Sequence, residues 1–366
     1  MPSRRAFLRI LGGGTVVAAA GTGGFLATRT PAHALAPWDA APGYNDTRKR
    51  ILAHALLAPN PHNRQPWLVE LSGDNAVILH RDKSRELPET DPFNRQIFIG
   101  LGCFTELMVI AAGAEGLSTD LTLFPEGEEG PVFRAVFAPG GNPDPLAAHM
   151  LTRRSQKEPY EDRLPEPEKV AALEPLARVI TDTDLVADLR DLTWAAFQRE
   201  VYTPATLQES VDLMRVGKSE INANPDGIEL TSPFLDALRR VGLLTNDILA
   251  NPDHPSFQGV LDDYRAVCYG TPAFVVVTST GNTRFDQIKA GRTWLRLNLT
   301  ATGLGLGVHP MSQALQEFPE MAEHYAKAHS LLAKPGETVQ MLARLGYGPA
   351  SNPTPRWGLE TRIVDG

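Results

Sequence analysis

Two stretches of this chain repeat the same residue pattern, and this repeat constrains the fold more than any other feature of the sequence. Residues 102–117 overlay residues 291–306, with glycine on glycine at the start and Gly-Leu on Gly-Leu at the end. In each copy an apolar helical pattern ends at a glycine, Gly116 or Gly305, and glycine readily adopts the left-handed conformation that follows many helices. The repeat predicts two related halves, each with one long helix that ends at a glycine.

The composition is that of a soluble globular protein. The chain has 366 residues, of which 42% are hydrophobic and 21% charged, which is enough for two ordinary domains or one large one. The formal net charge is −8 and no Lys/Arg-rich run offsets it, so we expect no nucleic-acid binding. The histidines and the two cysteines, Cys103 and Cys268, lack metal-ligand spacing, so we expect no metal site. Two buried reduced thiols are the favoured interpretation, and a disulfide stays open.

The first 34 residues have the pattern of an export signal. Residues 3–9 are S-R-R-A-F-L-R, an apolar Gly/Ala-rich stretch follows at 10–27, and Ala32-x-Ala34 offers the small residues that a signal peptidase needs. The pattern resembles a twin-arginine signal. The alternative is a membrane anchor, but the stretch is only mildly hydrophobic and rich in glycine. We therefore expect an exported, periplasmic or extracytoplasmic protein without a stable membrane anchor after cleavage, and its export route carries folded proteins, commonly with a cofactor inserted.

The mature chain is expected to divide into a first half at 35–150 and a second half at 151–366. Hydrophobic periodicity predicts a similar order of elements in both halves. In the first half these are a helix from about 46, strands at 67–71 and 76–79, a helix at 95–115, and strands at 119–124 and 132–137. In the second half they are helices at 167–178 and 185–201, an interrupted helical stretch at about 205–265, a buried strand at 274–278, a helix at 285–302 and a strand at 337–345.

A proline-rich loop separates the first helix from the first strand. Residues 58–67 are A-P-N-P-H-N-R-Q-P-W. Proline fixes the backbone, and side-chain amides can satisfy the polar rim of a flat heteroaromatic ring. The alternative is an ordinary turn with a core tryptophan. The segment resembles the A-P-S-x-x-N-x-Q-P-W loop of flavin-dependent nitroreductases, and the resemblance implies that Pro59, Asn60 and Asn63 contact FMN.

Two further segments resemble the phosphate-binding signatures of the same family. Residues 153–157, R-R-S-Q-K, match its R-x-S-x-K/R opening, although such a run alone is more often a solvated basic patch. The match implies that Arg153 and Ser155 bind the FMN phosphate and that Lys157 lies near the N1/O2 edge of the flavin. Residues 353–356, P-T-P-R, resemble the closing P-K-x-R, in which the arginine, here Arg356, grips the phosphate. Thr354 stands where the family commonly has lysine, so one positive charge is missing.

A glycine-rich segment supplies the last match. Residues 303–312, G-L-G-L-G-V-H-P-M-S, resemble the G-L-x-x-x-P-x-E-G turn, in which a backbone N–H points at flavin N5. The match assigns Pro310, Met311 and Ser312 to the cofactor site and the N5 contact to the Ser312 amide, with serine in place of the common glutamate. The rival interpretation, a dinucleotide-binding glycine loop, requires a preceding strand, whereas this segment follows a helix.

The distribution of these matches indicates a fused arrangement. Ordinary nitroreductases are homodimers in which one subunit grips the phosphate and the other covers the ring. Here the Pro/Asn loop lies in the first half and the phosphate residues lie in the second. The chain resembles the Acg-like branch of the nitroreductase superfamily. This implies an α+β fold of two related halves, with mostly antiparallel sheets flanked by helices, that form a pseudo-dimer within one chain, as a monomer or weak homodimer.

The resemblance also implies an activity. An FMN-dependent oxidoreductase would pass electrons through flavin N5 to a small-molecule acceptor such as a nitro, quinone or enone compound. Nicotinamide cofactors are cytoplasmic, so an exported enzyme needs another electron donor, which the sequence does not identify. The alternative is a protein that holds or sequesters FMN with little or no turnover. The 205–265 stretch is either a lid over the flavin or helical packing between the halves.

Overall fold

The computed structural model describes residues 30–365. Its helices and strands alternate in the mixed order of an α+β fold, as the sequence predicts. The helices are α1 (Ala32–Leu35), α2 (Thr47–Ala55), α3 (Arg95–Ala114), α4 (Pro167–Leu173), α5 (Thr183–Tyr202), α6 (Pro204–Asp212), α7 (Gly217–Ala223), α8 (Pro233–Arg240), α9 (Asn246–Leu249), α10 (Pro255–Tyr269), α11 (Arg284–Gly303) and α12 (Ala322–Leu332). The strands are β1 (Trp67–Ser72), β2 (Ala76–Arg81), β3 (Leu117–Leu123), β4 (Phe133–Pro139), β5 (Arg178–Ile180), β6 (Met214–Val216), β7 (Ile228–Leu230), β8 (Ala273–Ser279), β9 (Gly307–Pro310), β10 (Thr338–Gly346) and β11 (Ile363–Val364).

Two main sheets carry the strands, and most of their pairings are antiparallel. The first sheet has the order β11-β1-β2-β4-β3, and the second has the order β5-β8-β10-β9. The chain end adds β11 beside β1 in parallel, with Val69 opposite Ile363. The sheet that contains β1 to β4 is therefore completed by residues near the end of the chain.

The helices α3 and α11 pack against each other at the centre of the molecule through two glycines. A Cβ added at Gly102 would overlap the carbonyl oxygen of Ile288, and one added at Gly291 would overlap that of Ile99. The contact is reciprocal, as across a two-fold axis, and Gly102 and Gly291 are equivalent positions of the sequence repeat. The repeat and the pseudo-dimer of related halves stay predictions.

Both central helices end as the sequence predicts. Gly116 follows α3 with φ of 75°, and Gly305 follows α11 with φ of 71°. A residue with a Cβ adopts this left-handed region at a cost, which explains the glycine in each copy. In the described range, α3 alone has the length and composition of a membrane span, and 89% of that stretch is buried inside the protein, as expected of a core helix.

The shorter elements differ from expectation. The helix predicted at 167–178 ends at Leu173, and Arg178–Ile180 instead forms β5 against β8. The 205–265 stretch contains not only helices but also the parallel pair β6 and β7. Strands of three residues are too short for alternation to reveal them, because their pairing partners decide their conformation. Cys103 and Cys268 are buried and free, as favoured from sequence.

Most of the predicted export signal, residues 1–29, lies outside the described residues. Its predicted cleavage position does not. Ala34 is 1% exposed, its N–H donates to Asn222 Oδ1 at 3.1 Å, and its carbonyl accepts from the Arg356 N–H at 2.8 Å. A peptidase that cuts after Ala34 therefore requires this segment to detach from the folded protein first.

Candidate functional site

The Pro/Asn loop between α2 and β1 has a strained backbone. His62, Asn63 and Gln65 have φ of 46°, 49° and 51°, a region that residues with a Cβ rarely adopt. Such strain persists only where the surroundings impose it. Gln65 is fully buried, donates to the carbonyl of Pro225 at 2.7 Å and accepts from the Trp357 N–H at 2.9 Å. Gln65 therefore anchors the loop to the segments that contain Pro225 and Trp357.

The two asparagines of this loop make different contacts. Asn60 Oδ1 accepts from the Gln65 N–H at 2.7 Å, which closes the loop on itself next to the half-buried Pro59. Asn63 Oδ1 accepts from Arg356 Nη1 at 2.7 Å, and Asn63 Nδ2 donates to the Pro355 carbonyl at 3.0 Å. The structure thus joins the first-half loop to the predicted phosphate arginine, and Asn63 orients that guanidinium.

Arg153 and Arg356 are the most unusual residues of the site, because both are buried cations, 4% and 3% exposed. Arg356 donates to the carbonyls of Leu56, Leu57 and Ala58 at 3.0 to 3.3 Å. Arg153 Nη2 donates to the Leu57 carbonyl at 3.2 Å, while its Nη1 is buried without a partner. In the range 30–365, no carboxylate lies within ion-pair distance of either guanidinium.

The electrostatics of this arginine pair favour an anion. Burial, and after it the nearby charge of Arg153, lowers the pKa of Arg356 to about 9. Burial likewise lowers the pKa of Arg153 to about 10. Both side chains remain charged at neutral pH, and a buried charge without a counter-ion is costly. A bound anion would relieve both the burial cost and the mutual repulsion.

The segment after Arg153 leads from the arginine pair towards the second sheet. The Ser155 hydroxyl is half-buried and has no hydrogen-bond partner among the residues described. The Gln156 N–H donates to the Val308 carbonyl at 3.1 Å, which attaches the segment to β9. Lys157 is exposed, with Nζ 3.8 Å from Glu229 Oε1. Residues 153–157 thus connect the arginine pair with the strand that precedes the predicted N5 turn.

That turn begins where β9 ends at Pro310. The Met311 N–H donates to the Leu342 carbonyl at 2.8 Å, and Ser312 opens a 3₁₀ helix, Ser312–Leu315. The first N–H groups of a helical turn have no acceptor within the turn, so the Ser312 amide is available to an outside acceptor. The glycine-rich stretch follows α11, as the sequence indicated, so the dinucleotide-loop interpretation lacks its preceding strand.

Two histidines that sequence reasoning did not single out lie near Lys157. Burial is the main cause that lowers the pKa of both His62 and His309, followed by the charge of Arg64 or Arg344 respectively and then by that of Lys157. The pKa of His62 falls to about 4. His309 Nδ1 accepts from Arg344 Nε at 3.0 Å, which fixes the neutral ring with its proton on Nε2. The Lys157 side of the site is therefore positive and carries two neutral imidazoles.

The inserted stretch is anchored to the loop in its first part. Asp226 is buried and accepts from Arg85 Nη1 at 2.5 Å, Arg215 Nη2 at 3.1 Å and Trp357 Nε1 at 3.2 Å. The Gly227 N–H also donates to the Asn63 carbonyl at 3.3 Å. These contacts favour packing over a lid for the part around β6 and β7. The turn-forming residues at 224–227 are visible in the sequence, but their distant partners are not.

A buried carboxylate that the sequence did not indicate lies behind the predicted N5 turn. Glu200 on α5 is 6% exposed and accepts from Gln316 Nε2 at 3.2 Å. Burial raises its pKa from 4.5 to about 7, against the opposing effect of the bonds from Gln316 and Gln313. An isolated glutamate in an otherwise helical pattern gives no signal for this, because its burial depends on how α5 packs on the turn.

Glu200 should make the stability of the protein depend on pH. Because its pKa is higher in the folded than in the unfolded chain, the folded state binds more protons between pH 4.5 and about 7. Stability therefore falls as pH rises through this window, by on the order of 2–3 kcal/mol. We expect Glu200→Gln to be more stable than the wild type at pH 8 and to lose this advantage at pH 4.5. Urea unfolding at both pH values measures the difference, and a pH-independent difference would contradict the assignment.

Comparisons with known proteins place these features in context. No family model matches the chain. A Mycobacterium tuberculosis protein named "Putative NAD(P)H nitroreductase" is 24% identical over 344 residues, which is 85% of this chain and 89% of the relative. A second protein of that organism, with the same description and the name acg, is 34% identical over 80 residues, which is 22% of this chain and 24% of the relative.

Solved structures give more distant similarities. A "putative nitroreductase" from Anabaena variabilis has a TM-score of 0.43 and 13% identity over 80% of this chain and 82% of that one. The FMN-dependent nitroreductase NfnB from Mycobacterium smegmatis, in complex with NADPH, has a TM-score of 0.36 and 16% identity over 59% of this chain and 96% of that one. Along most of its length the chain is therefore similar in sequence to proteins named as nitroreductases.

Proposed function

We propose that this chain is an FMN-dependent oxidoreductase of nitroreductase type, with the cofactor held where the motifs of the two halves meet. The observation that carries the proposal is the pair of buried guanidiniums, Arg153 and Arg356, which lack a carboxylate partner in the described range. A phosphate monoester would neutralise both charges and could accept a charge-assisted hydrogen bond from Arg153 Nη1. The names of the sequence relatives support the reductase activity.

The residues at the phosphate end fit this ligand. Arg153 Nη1 is buried without a partner and can donate to a phosphate oxygen. The Ser155 hydroxyl is equally free to donate. Asn63 holds the guanidinium of Arg356 in place, so this side chain loses less conformational entropy when the phosphate binds. The site therefore offers two cations and a hydroxyl to one phosphate group.

The residues at the other end would position the ring. Pro59 and Asn60 would cover one face, and the turn Pro310, Met311 and Ser312 would present the Ser312 amide at the ring edge. Bound FMN would supply two-electron transfer between a donor and a nitro, quinone or enone acceptor. The protein would fix the ring and keep water from the buried phosphate. It would also place the positive charge of Lys157 where reduced flavin becomes anionic.

Reduction and reoxidation of the purified full-length chain test the activity. We expect dithionite to bleach the flavin bands anaerobically, and a nitroaromatic, a quinone or an enone to restore them with repeated turnover. Reduction without acceptor-dependent reoxidation would instead favour a protein that only holds FMN. A nitroreductase neighbour was solved with NADPH, so NADPH is tested as the small-molecule donor alongside reduced quinones. If the enzyme is exported, we expect the quinol to reduce the bound flavin faster than NADPH does.

We also propose export by the twin-arginine route. The support is the S-R-R-A-F-L-R segment followed by the apolar stretch at 10–27. Replacing both Arg4 and Arg5 by lysine should retain the protein in the cytoplasm, because that route recognises the arginine pair. Arg9→Lys, a matched change outside the pair, should leave export intact. Cell fractionation measures both, and equal export of all three forms would refute the route.

A further inference from the structure

We propose that Arg154, held in place by the ring of Trp38, is a third cation of the phosphate site and supplies the charge that Thr354 leaves out. The ligand is the same phosphate monoester, so this inference rests on the proposed function. Arg154 belongs to the 153–157 segment, but it falls between the two residues that the family signature assigns to the phosphate.

Trp38 connects Arg154 with the position where the lysine is missing. Its ring is 6% exposed, and the Arg154 guanidinium carbon lies 4.1 Å from the ring centroid. Trp38 Nε1 donates to the Thr354 carbonyl at 2.7 Å. The guanidinium carbon of Arg356 lies 5.7 Å from the same ring. One indole therefore packs against both guanidiniums beside residue 354.

The hydrogen bonds of Arg154 leave part of its charge unpaired. Its Nη1 donates to the carbonyls of Leu151 at 2.9 Å and Arg153 at 2.7 Å. Its Nε is buried and has no hydrogen-bond partner. No carboxylate within residues 30–365 lies at ion-pair distance from this guanidinium. Both guanidinium carbons lie near the same Trp38 ring, at 4.1 and 5.7 Å from its centroid, and the Arg154 charge contributes to lowering the pKa of Arg356.

A purely structural stacking role is the competing explanation, and the chain contains a matched example of it. The guanidinium carbon of Arg163 lies 3.6 Å from the ring centroid of Tyr347, but Arg163 pairs with the carboxylates of Glu161 and Glu166. Its charge is already compensated, so Arg163 has no need of an anion. Arg163→Gln therefore removes a stacked arginine without removing an uncompensated charge.

Titration of the full-length chain, freed of flavin, with FMN and with riboflavin tests the proposal. Riboflavin has the same ring but no phosphate. Arg154→Gln should weaken FMN binding by about tenfold and leave riboflavin binding unchanged, because a charge-assisted bond to phosphate is lost. Arg163→Gln should change neither. Trp38→Leu should weaken FMN binding by a smaller factor without changing riboflavin binding. Trp38→Phe keeps an aromatic ring and should bind FMN as the wild type does.

A double variant tests the compensation itself. Adding Thr354→Lys to Arg154→Gln returns a cation to this end of the site and should recover most of the lost FMN affinity. Equal losses for FMN and riboflavin in Arg154→Gln, or no loss for either, would overturn the proposal while leaving FMN binding by the wild type intact. A wild type that binds neither flavin would overturn the proposed function and this inference with it.

Discussion

Replacing Arg356 with alanine is expected to weaken FMN binding by about 100-fold and to change riboflavin binding far less. Arg356 is the arginine that Asn63 orients and that has no carboxylate partner in the described range. Its N–H groups already donate to protein oxygens, so its contribution to phosphate binding would be its positive charge. Each tenfold loss of affinity corresponds to about 1.4 kcal/mol. The selectivity for the phosphorylated flavin separates loss of a ligand contact from general damage.

Controls are needed because Arg356 also supports the loop. Its bonds to the carbonyls of Leu56, Leu57 and Ala58 are lost in the alanine variant. Arg356→Lys keeps the charge without the fork and should lose about tenfold. Arg95 is an equally buried arginine that bonds to backbone carbonyls, but it pairs with Glu317. Arg95→Ala should lower stability without selective loss of FMN; selective loss in Arg95→Ala and none in Arg356→Ala would refute the assignment.

The second large effect concerns the glycine contact between α3 and α11. Gly102→Ala is expected to lower the free energy of unfolding by more than about 3 kcal/mol, because the new methyl group would meet the Ile288 carbonyl in a fully packed core. Gly291→Ala should cost a similar amount, since its methyl group would meet the Ile99 carbonyl. Urea unfolding of each variant measures these losses.

The reciprocity of this contact makes the prediction sharper. Once one alanine has pushed the helices apart, the second meets less resistance, so the double variant should lose less than the two single losses combined. Gly43→Ala is the matched control, because a Cβ there would meet nothing within 4 Å. Losses below about 1 kcal/mol at Gly102 and Gly291 would mean that the helices can separate freely.

Long elements could be predicted from the sequence because their periodicity is strong. The patterns at 95–115 and 285–302 correspond to α3 and α11 within a residue or two, and the buried strand at 274–278 corresponds to β8. Strand β11 could not be predicted, because two residues carry no period and their conformation depends on pairing with β1. The same applies to β5, whose first residue, Arg178, is the last residue of the helix predicted at 167–178.

In the candidate site, too, local motifs could be predicted from the sequence, whereas contacts between distant residues could not. The motifs predicted that Arg356 and the Pro/Asn loop belong to one site, and in the structure Asn63 Oδ1 accepts a hydrogen bond from Arg356 Nη1 at 2.7 Å. The sequence could not reveal that Trp38 packs on Arg154, because the two residues come from segments that carry no common motif. Nor could it reveal the burial of Glu200, which follows from the packing of α5. Whether the assigned residues bind FMN stays a prediction.

The absorption spectrum of the purified full-length protein tests the central claim most directly. The proposed site, with one arginine pair for the phosphate and one loop over the ring, predicts flavin bands that correspond to one FMN per chain. A colourless protein that also fails to take up added FMN would contradict the claim.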